Sequence, residues 1–190
     1  MKKQRLAIFD LDGTLFDTKD VNFNAYNKAL LNCGFLRKLD YQYYCDYCNG
    51  NNYKYFLPEI IDGISEDEMK FIHNEKKLLY SSFLGLARKN EHLFSLINLI
   101  KDEYYIGLAT SASKENTNDI LQEFSVYDLF DFIITQDDVK HTKPNPECFE
   151  LAVSIAKIEK KNAIIFEDSE TGIKAANASG IDYVRVYGYN

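Results

Sequence analysis

The chain has 190 residues and a mass of 22.0 kDa, which is enough for one well-buried domain or for a core that carries a smaller insert. Its net charge of −7 argues against binding to nucleic acid or to an anionic membrane surface, because no basic cluster could neutralise many phosphates. A site for one small phosphorylated molecule needs only a few local cations, so this substrate class stays open.

The N-terminal stretch MKKQRLAIFDLDG places basic residues before an apolar run, as a signal peptide does. The run is only about four residues long, and aspartates follow it at once, so the apolar core of a signal peptide is missing. No stretch approaches the roughly 18 apolar residues that a membrane span requires. We therefore expect a cytoplasmic protein with no membrane partner.

The first predicted element is a strand over residues 6–9, an apolar run suited to a strand that is buried on both faces. The next such run, 105–109, begins almost 100 residues later, whereas a crossover between parallel strands usually takes a few tens of residues. Residues 91–101 repeat apolar side chains at three- and four-residue spacing and predict the crossover helix. The remaining residues, 16–88, must therefore be an insert.

Helical patterns dominate the insert. Residues 21–31 place Phe23 and Tyr26 in helical register, and Ser65 followed by three acids predicts the N-cap of a helix that continues over 69–84. Six tyrosines crowd the middle of the insert, and we expect most of them to pack in its core: Tyr41, Tyr43, Tyr44, Tyr47, Tyr53 and Tyr55.

The chain contains four cysteines: Cys33, Cys45, Cys48 and Cys148. They are scattered through a chain without a secretory signal, so a disulfide framework is not expected. Cys45 and Cys48 form a single CxxC without a second pair, and the three histidines show no ligand spacing. We interpret these cysteines as half-buried thiols, and a zinc site is the alternative.

Strands and helices alternate through the rest of the chain. Strands are predicted over 105–109, 132–135, 163–166 and 183–186, and helices over 114–124, 146–156 and 170–179. This alternation predicts an α/β fold with a doubly wound parallel sheet. We expect residues 1–15 and 89–190 to form this core and residues 16–88 to form a small all-α domain inserted after the first strand.

Polar side chains follow four of the predicted strands. They are Asp10 and Asp12 after the first strand, Thr110 and Ser111 after the second, Lys143 in the loop after the third, and Glu167 and Asp168 after the fourth. Each of them alone could be a helix cap, a turn residue or a solvated charge. In an open parallel sheet, however, ligands bind beyond the carboxyl ends of the strands, so all of these side chains are predicted to converge on one site.

A group of carboxylates repels itself unless a cation lies between its members. Mg²⁺ fits such a group well, because it is a hard ion that prefers oxygen ligands and commonly binds one or two carboxylates together with a substrate phosphate. The lysine and the hydroxyls would then contact the remaining phosphoryl oxygens. The sequence thus predicts a magnesium and phosphate site.

Four segments, FDLDGTLFDT, IGLATS, KHTKPNPE and IIFEDSETGIKAA, resemble the four motifs of the haloacid dehalogenase superfamily in order and position. The resemblance covers the core, about 115 of the 190 residues. The helical insert resembles the alpha-helical cap of the subfamily that contains beta-phosphoglucomutase and phosphoglycolate phosphatase. The resemblance implies a Rossmann-like core with a cap and a Mg²⁺-dependent phosphatase that acts on a small phosphorylated metabolite.

The resemblance also implies the roles of the acidic residues. Asp10 would be the nucleophile that forms an aspartyl-phosphate. Asp12 would be the general acid and base, and its backbone carbonyl would bind the metal. Asp10 and Asp168 would supply metal-binding carboxylates, with Glu167 as a further ligand or as the holder of a metal-bound water.

For the phosphate, the resemblance implies contacts from Thr110, Ser111 and Lys143. Either Thr110 or Ser111 could supply the phosphate-binding hydroxyl, because the two residues are adjacent. Gly13 would allow a tight turn below the metal. Gly172, in the first turn of the helix after the fourth strand, is expected to permit close helix packing rather than to touch the ligand.

Some departures from the family pattern separate the possible activities. Haloacid dehalogenases themselves typically lack the second aspartate of the first motif. Its presence here, as Asp12, favours phosphate over organohalide chemistry. Asn22 stands where beta-phosphoglucomutase has a histidine, and the residues directly after Gly50 are Asn51, Asn52 and Tyr53 in place of the phosphate-binding arginine of its cap. Both departures count against a phosphomutase or phosphotransferase, which stays the alternative to a phosphatase. A receiver-like signalling module is a second alternative, although it would not use the insert. Asp17 is expected to be structural, and the oligomeric state stays open between monomer and dimer.

Overall fold

A computed structural model describes residues 3–35 and 38–187. The chain divides into two compact units, one formed by Met1–Asp17 and Arg88–Asn190 and the other by Thr18–Ala87. The strands are β1 (Arg5–Phe9), β2 (Phe16–Asp17), β3 (Arg88–Lys89), β4 (Tyr104–Ala109), β5 (Phe132–Ile134), β6 (Ala163–Glu167) and β7 (Asp182–Arg185). The α-helices are α1 (Lys19–Asn32), α2 (Tyr41–Tyr43), α3 (Tyr53–Ile60), α4 (Glu66–Leu79), α5 (Glu91–Ile100), α6 (Lys114–Glu123), α7 (Glu147–Ala156) and α8 (Glu170–Ser179).

The first unit is built on a five-stranded sheet with the order β5-β4-β1-β6-β7. All neighbouring strands in this sheet are parallel. The chain runs outward from β1 through β4 to β5 and then returns to the other side of β1 with β6. The strand order therefore reverses between β1 and β6, which is where open α/β sheets bind ligands. The predicted doubly wound α/β fold is confirmed.

The central strand β1 shows why the apolar runs form strands. Its residues from Leu6 to Phe9 have no exposed surface, and Leu6 and Ile8 pack in a core with apolar side chains of α7 and α8. A strand buried on both faces reads as a continuous apolar run, which is the pattern that predicted it. All five predicted strands are found within one residue of their expected ends.

Two short strands that the sequence patterns did not indicate lie beside the first site motif. β2 and β3 form an antiparallel pair in which Phe16 is opposite Lys89 and Asp17 is opposite Arg88. The side chains of Asp17 and Arg88 form an ion pair across this ladder. Asp17 therefore joins the two chain segments that border the helical unit, in agreement with a structural role.

The second unit, Thr18–Ala87, is helical. Leu30, Leu57 and Ile72 lie in its hydrophobic core, and α4 begins with a capping box between Ser65 and Glu68. The helix predicted over 69–84 is shorter than expected, because α4 ends at Leu79 and a 3-10 helix over Tyr80–Leu86 follows it. The helix α3, which contains Pro58, has no counterpart among the predicted elements. Among the helices of residues 3–35 and 38–187, none combines the length and the apolar character needed to cross a membrane.

The tyrosines of this unit divide into two groups. Tyr44 is buried, and Tyr43 and Tyr53 pack against the core, but the other three are exposed: Tyr41, Tyr47 and Tyr55. The expectation that most of them pack in the core is therefore wrong for half of the set. The polar hydroxyl end of tyrosine allows the ring to lie at a surface, so composition alone cannot place it. All four cysteines are free thiols, and among the described residues no cysteine belongs to a potential metal-binding cluster.

A half-buried histidine joins three helices of this unit. The ring of His73 on α4 stacks on Tyr53 at 4.1 Å between ring centres, and its Nδ1 lies 3.0 Å from the hydroxyl of Tyr26. Burial lowers the pKa of His73 to about 3, with a further contribution from the positive charges of Lys76 and Lys77. We therefore assign a neutral imidazole that accepts the Tyr26 proton at Nδ1.

Stability should consequently fall in acid. Between pH 6.5 and pH 3, the unfolded chain binds a proton at residue 73 that the folded chain excludes, so the free energy of unfolding decreases as the pH decreases through this window. For a change from pH 7.0 to pH 4.5 the contribution of His73 is about 2 to 3 kcal/mol. Urea unfolding at both pH values gives the decrease in the free energy of unfolding for the wild type and for His73→Gln. The decrease should be smaller in the variant by the contribution of His73.

The matched control is His92→Gln, which replaces an exposed histidine on α5. It should keep the pH dependence of the wild type. The same acid destabilisation in wild type and His73→Gln would contradict the assignment of a neutral imidazole at residue 73.

Candidate active site

The site begins at the carboxyl ends of the adjacent strands β1 and β6. Phe9 is paired with Phe166, and their rings stack at 4.6 Å with an angle of 7° between the ring planes. The next residues, Asp10 and Glu167, therefore point together to the opposite face of the sheet, because side chains alternate along a strand. The backbone N–H of Asp10 donates to the carbonyl of Phe166 at 3.0 Å, which extends the parallel ladder to the first acid.

Lys143 is the cation of the site. Its side chain is 4% exposed, and its Nζ donates to Asp10 Oδ1 and Glu167 Oε2, each at 2.6 Å, and to the carbonyl of Ala109 at 3.0 Å. These three contacts use all three protons of the ammonium group. Residues from the ends of β1, β4 and β6 thus bind one lysine from the loop before α7.

Burial and charge together set the pKa values of this group. Burial by itself would lower the pKa of Lys143, but the carboxylates of Asp10 and Glu167 outweigh burial and raise it above its ordinary value. Burial raises the pKa of Asp10 well above its ordinary value, the charge of Glu167 adds to this shift, and Lys143 opposes it. The two carboxylates and one ammonium leave an excess of negative charge, which a further cation would compensate.

Glu167 is fully buried, and both of its carboxylate oxygens are hydrogen bonded. Oε2 accepts from Lys143, and Oε1 accepts from the N–H of Asp168 at 3.2 Å, the N–H of Ser169 at 3.0 Å and the hydroxyl of Ser169 at 2.8 Å. Gly172 provides the space for this carboxylate, since a Cβ at residue 172 would lie 2.0 Å from its carbon atom. We expected Gly172 to permit close helix packing, but the lack of a side chain at this position makes room for the carboxylate of Glu167.

Asp168 is held by the turn that follows β1. The hydroxyl of Thr14, a fully buried residue, donates to Asp168 Oδ1 at 2.8 Å. Gly13 has a φ of +88°, and a Cβ there would lie 2.2 Å from Asp168 Oδ2, so both backbone conformation and space require glycine. The pKa of Asp168 is raised to about 6, mainly by burial. The hydrogen bond from Thr14 lowers this pKa, and the negative charge of Glu167 raises it further.

These carboxylates are close enough to share a cation. Asp10, Glu167 and Asp168 each offer a carboxylate oxygen, and the three oxygens lie within 4.8 Å of one another. The donors are hard oxygen atoms in a site with excess negative charge, which is the chemistry that Mg²⁺ prefers. Asp12 is half-buried in the same turn, where its backbone can contribute a carbonyl. The residues of the site therefore fit the predicted metal.

The two candidate hydroxyls after β4 differ in their surroundings. Thr110 is buried, its N–H donates to the carbonyl of Ile134 at 2.9 Å, and its hydroxyl accepts from the N–H of Ala112 at 3.0 Å. Ser111 is exposed and precedes α6, whose N-cap is Ser113. Thr110 thus stabilises the turn, whereas Ser111 is accessible to a ligand.

The hydrogen bonds bring together four of the predicted residues, namely Asp10, Lys143, Glu167 and Asp168. Two residues that the sequence analysis did not include in the site support them. Thr14 orients Asp168, and Ser169 binds Glu167. The sequence signal for Ser169 is a serine three residues before Gly172, which predicts only a helix N-cap.

The contact between Thr14 and Asp168 can be tested by metal binding. Thr14→Val preserves the shape of a buried side chain and removes the hydroxyl that orients the carboxylate. We expect its affinity for Mg²⁺ to fall about tenfold in calorimetric titration without substrate, which is the effect of losing one hydrogen bond to a charged group.

Thr117→Val is the matched control, because Thr117 is also fully buried and donates to a backbone carbonyl, that of Ser113, at 2.8 Å. It should bind Mg²⁺ like the wild type. Equal affinities of the wild type and Thr14→Val would show that the hydroxyl does not support a metal ligand.

Known proteins share both the sequence pattern and the fold. The family model of the haloacid dehalogenase-like hydrolases matches residues 7–186. A phosphorylated carbohydrates phosphatase of Thermotoga maritima is 28% identical over 190 residues, which cover 96% of this chain and 83% of that protein. A pyrophosphatase PpaX of Bacillus velezensis is 27% identical over 189 residues, covering 94% of this chain and 81% of that protein.

Among solved structures, CbbY from Rhodobacter sphaeroides in complex with phosphate superposes with a TM-score of 0.85 at 22% identity, covering 97% of this chain and 87% of that one. This similarity confirms the Rossmann-like fold. The names of the two sequence relatives agree with the expected phosphatase class. Since the family model spans nearly the whole chain, the protein belongs to the haloacid dehalogenase-like hydrolases.

Proposed function

We propose that this protein is a Mg²⁺-dependent phosphatase that hydrolyses a small phosphorylated metabolite through an aspartyl-phosphate on Asp10. The observation that carries the proposal is the buried carboxylate of Asp10, which is oriented by Lys143 at the point where the strand order reverses. The family and the phosphatase names of the relatives support the reaction class. Family membership also removes the receiver-like signalling module as an alternative.

In the first step, a carboxylate oxygen of Asp10 forms a bond to phosphorus, and the bond from phosphorus to the leaving oxygen breaks. Asp12 donates a proton to that oxygen. In the second step, Asp12 takes a proton from a water molecule as the water oxygen bonds to phosphorus. The bond from phosphorus to Asp10 then breaks, which releases inorganic phosphate and restores the carboxylate.

Two carboxylates and one carbonyl would hold the metal: the side chains of Asp10 and Asp168 and the backbone of Asp12. Bound there, Mg²⁺ would shield the negative phosphate from the negative charge of Asp10. Lys143 fixes the orientation of Asp10 and supplies positive charge for the equatorial phosphoryl oxygens. Because the side chains of Lys143, Asp10 and Glu167 are buried, their charges interact more strongly than they would in solvent.

For the phosphate-binding hydroxyl, the exposure of Ser111 favours this residue over Thr110. The buried Thr110 hydroxyl already accepts a backbone hydrogen bond within its turn. Ser111 offers both a hydroxyl and a backbone N–H at the carboxyl end of β4. We assign the phosphate contact to Ser111 and a structural role to Thr110.

The helical unit Thr18–Ala87 is proposed to be a specificity-determining cap domain, as the resemblance implies. One of its residues argues against a phosphomutase. The side-chain amide of Asn22 donates to the backbone carbonyl and the hydroxyl of Thr18, at 3.1 and 3.2 Å. An amide cannot exchange protons as a histidine can, and here it stabilises the start of α1. We therefore favour transfer to water over transfer to a second sugar hydroxyl.

The relatives suggest two substrate classes, phosphorylated carbohydrates and pyrophosphate. We propose that the substrate is a small molecule from one of these classes. We also propose that the enzyme is cytoplasmic. A panel of sugar phosphates, phosphoglycolate, nucleotides and pyrophosphate, assayed with Mg²⁺ by release of inorganic phosphate, separates these classes.

The nucleophile is tested by Asp10→Asn. The amide is similar in shape but is not a nucleophile, so kcat for 4-nitrophenyl phosphate should fall at least about 1,000-fold. Asp17→Asn, from the same segment, is the control and should retain most of the activity, because the Asp17 side chain forms an ion pair with Arg88 and is not one of the proposed catalytic acids. Wild-type turnover by Asp10→Asn would disprove the proposed mechanism.

The assignment of the two hydroxyls predicts opposite behaviour of two variants. Ser111→Ala should lower kcat/KM for 4-nitrophenyl phosphate about 100-fold, as expected when a donor to the developing charge is lost, with little change in Tm. Thr110→Val should lower Tm and leave kcat/KM close to that of the wild type. Steady-state kinetics and thermal unfolding of both proteins measure these effects, and the reverse pattern would assign the contact to Thr110.

A further inference from the structure

We infer that Ser169 and Glu167 form a positioning pair that holds Lys143 against Asp10, and that Glu167 serves this lysine rather than the metal ion. The inference rests on the proposed function. In the proposed active site, two separate sets of contacts support the lysine and the metal. One set is the chain of contacts from Ser169 through Glu167 to Lys143. The other is the contact from Thr14 to Asp168, which serves the metal.

The two oxygens of Glu167 have different partners, and each is already hydrogen bonded. Oε1 accepts three hydrogen bonds, two of them from Ser169 and one from the N–H of Asp168. Oε2 lies 2.6 Å from the ammonium of Lys143. A divalent cation on this same oxygen would be repelled by the ammonium, and the side chain has no exposed surface through which it could turn to another position.

Asp168 lies in a different environment. It is half-buried, its Oδ1 accepts from the hydroxyl of Thr14, and its Oδ2 faces the turn at Gly13. No lysine donates to Asp168 among the hydrogen bonds of residues 3–35 and 38–187. The two adjacent acids therefore bind different partners: Glu167 binds the ammonium of Lys143, and Asp168 would bind the metal ion.

The direction of the Ser169 hydrogen bond follows from its second partner. The hydroxyl oxygen accepts from the N–H of Gly172 at 3.0 Å, which has to be the donor. The single hydroxyl proton is thus available for Glu167 Oε1 at 2.8 Å, and the contact at 3.3 Å with Thr171 is then donated by Thr171. Ser169 is at once the N-cap of α8 and a donor to the buried carboxylate.

The first turn of α8 is shaped around this carboxylate. A Cβ on Gly172 would lie within 2.4 Å of both Glu167 oxygens and of the carbon between them. Any other residue at this position would push the carboxylate toward the lysine or out of its hydrogen bonds with Ser169. The glycine and the serine therefore act on the same group, three residues apart along the helix.

Loss of the Ser169 hydroxyl should let the carboxylate rotate and move the Lys143 ammonium away from Asp10. In Ser169→Ala we expect kcat for 4-nitrophenyl phosphate to fall about tenfold, as for the loss of one charge-assisted hydrogen bond, with the Kd for Mg²⁺ unchanged. Ser169→Thr, which keeps a hydroxyl at the N-cap, should restore most of kcat. Glu167→Gln should lower kcat further, again without weakening Mg²⁺ binding.

A measurement without substrate follows Lys143 directly. Its amine is buried and ion paired, so acetylation by acetic anhydride, followed by peptide mass spectrometry, should be slow in the wild type. We expect the rate at Lys143 to rise about tenfold in Ser169→Ala and to return toward the wild-type value in Ser169→Thr. Ser65→Ala is the control, because Ser65 is the N-cap of α4 and makes the same type of contact with a backbone N–H, that of Glu68.

The outcomes separate this inference from the proposed function. A parallel loss of Mg²⁺ affinity in Glu167→Gln would make Glu167 a metal ligand and overturn the inference. Equal acetylation of Lys143 in the wild type, Ser169→Ala and Ser65→Ala would reduce Ser169 to a helix cap and overturn it as well. Absence of phosphatase activity in the wild type would instead reject the proposed function, while the acetylation and Mg²⁺ measurements would still decide the roles of Ser169 and Glu167.

Discussion

The rest of the site depends on the burial of one ammonium group between two carboxylates. Lys143 binds Asp10 and Glu167 at 2.6 Å each, and these three side chains are almost completely removed from solvent. Breaking such a group by removing one member leaves an uncompensated buried charge, which costs about 3 to 5 kcal/mol. The parallel ladder between β1 and β6, the glycine at residue 172 and the serine at residue 169 all serve this arrangement, because they place and orient its two acids.

The sequence predicts the framework of this site well, for a physical reason. Strands buried on both faces must be apolar throughout, so the three central strands β1, β4 and β6 are recognisable as short apolar runs. Parallel strands bring their carboxyl ends to one edge of the sheet, so the sequence alone predicts that Asp10, Lys143, Glu167 and Asp168 lie close together.

The supporting contacts could not be predicted in this way. Thr14 and Asp168 are 154 residues apart, and their hydrogen bond exists only because the turn after β1 lies beside the end of β6. The space at Gly172 is taken by a carboxylate, whereas the sequence shows only a glycine near a helix start. In the helical unit, α3 was not predicted because it contains Pro58, a residue that usually ends a helix. Three tyrosines of this unit are exposed, although composition alone would allow them to lie in a core. Partners across the fold, rather than local patterns, decide these positions.

The central claim is that Asp10 becomes covalently phosphorylated, and trapping the acyl phosphate tests it most directly. The enzyme is mixed with Mg²⁺ and 4-nitrophenyl phosphate, quenched in acid within one turnover and reduced with borohydride, which converts a phosphorylated aspartate into homoserine. Peptide mass spectrometry should then find homoserine at residue 10 and unchanged aspartate at residues 12 and 168. Homoserine at another position, or an unmodified Asp10 under conditions of full turnover, would contradict the account.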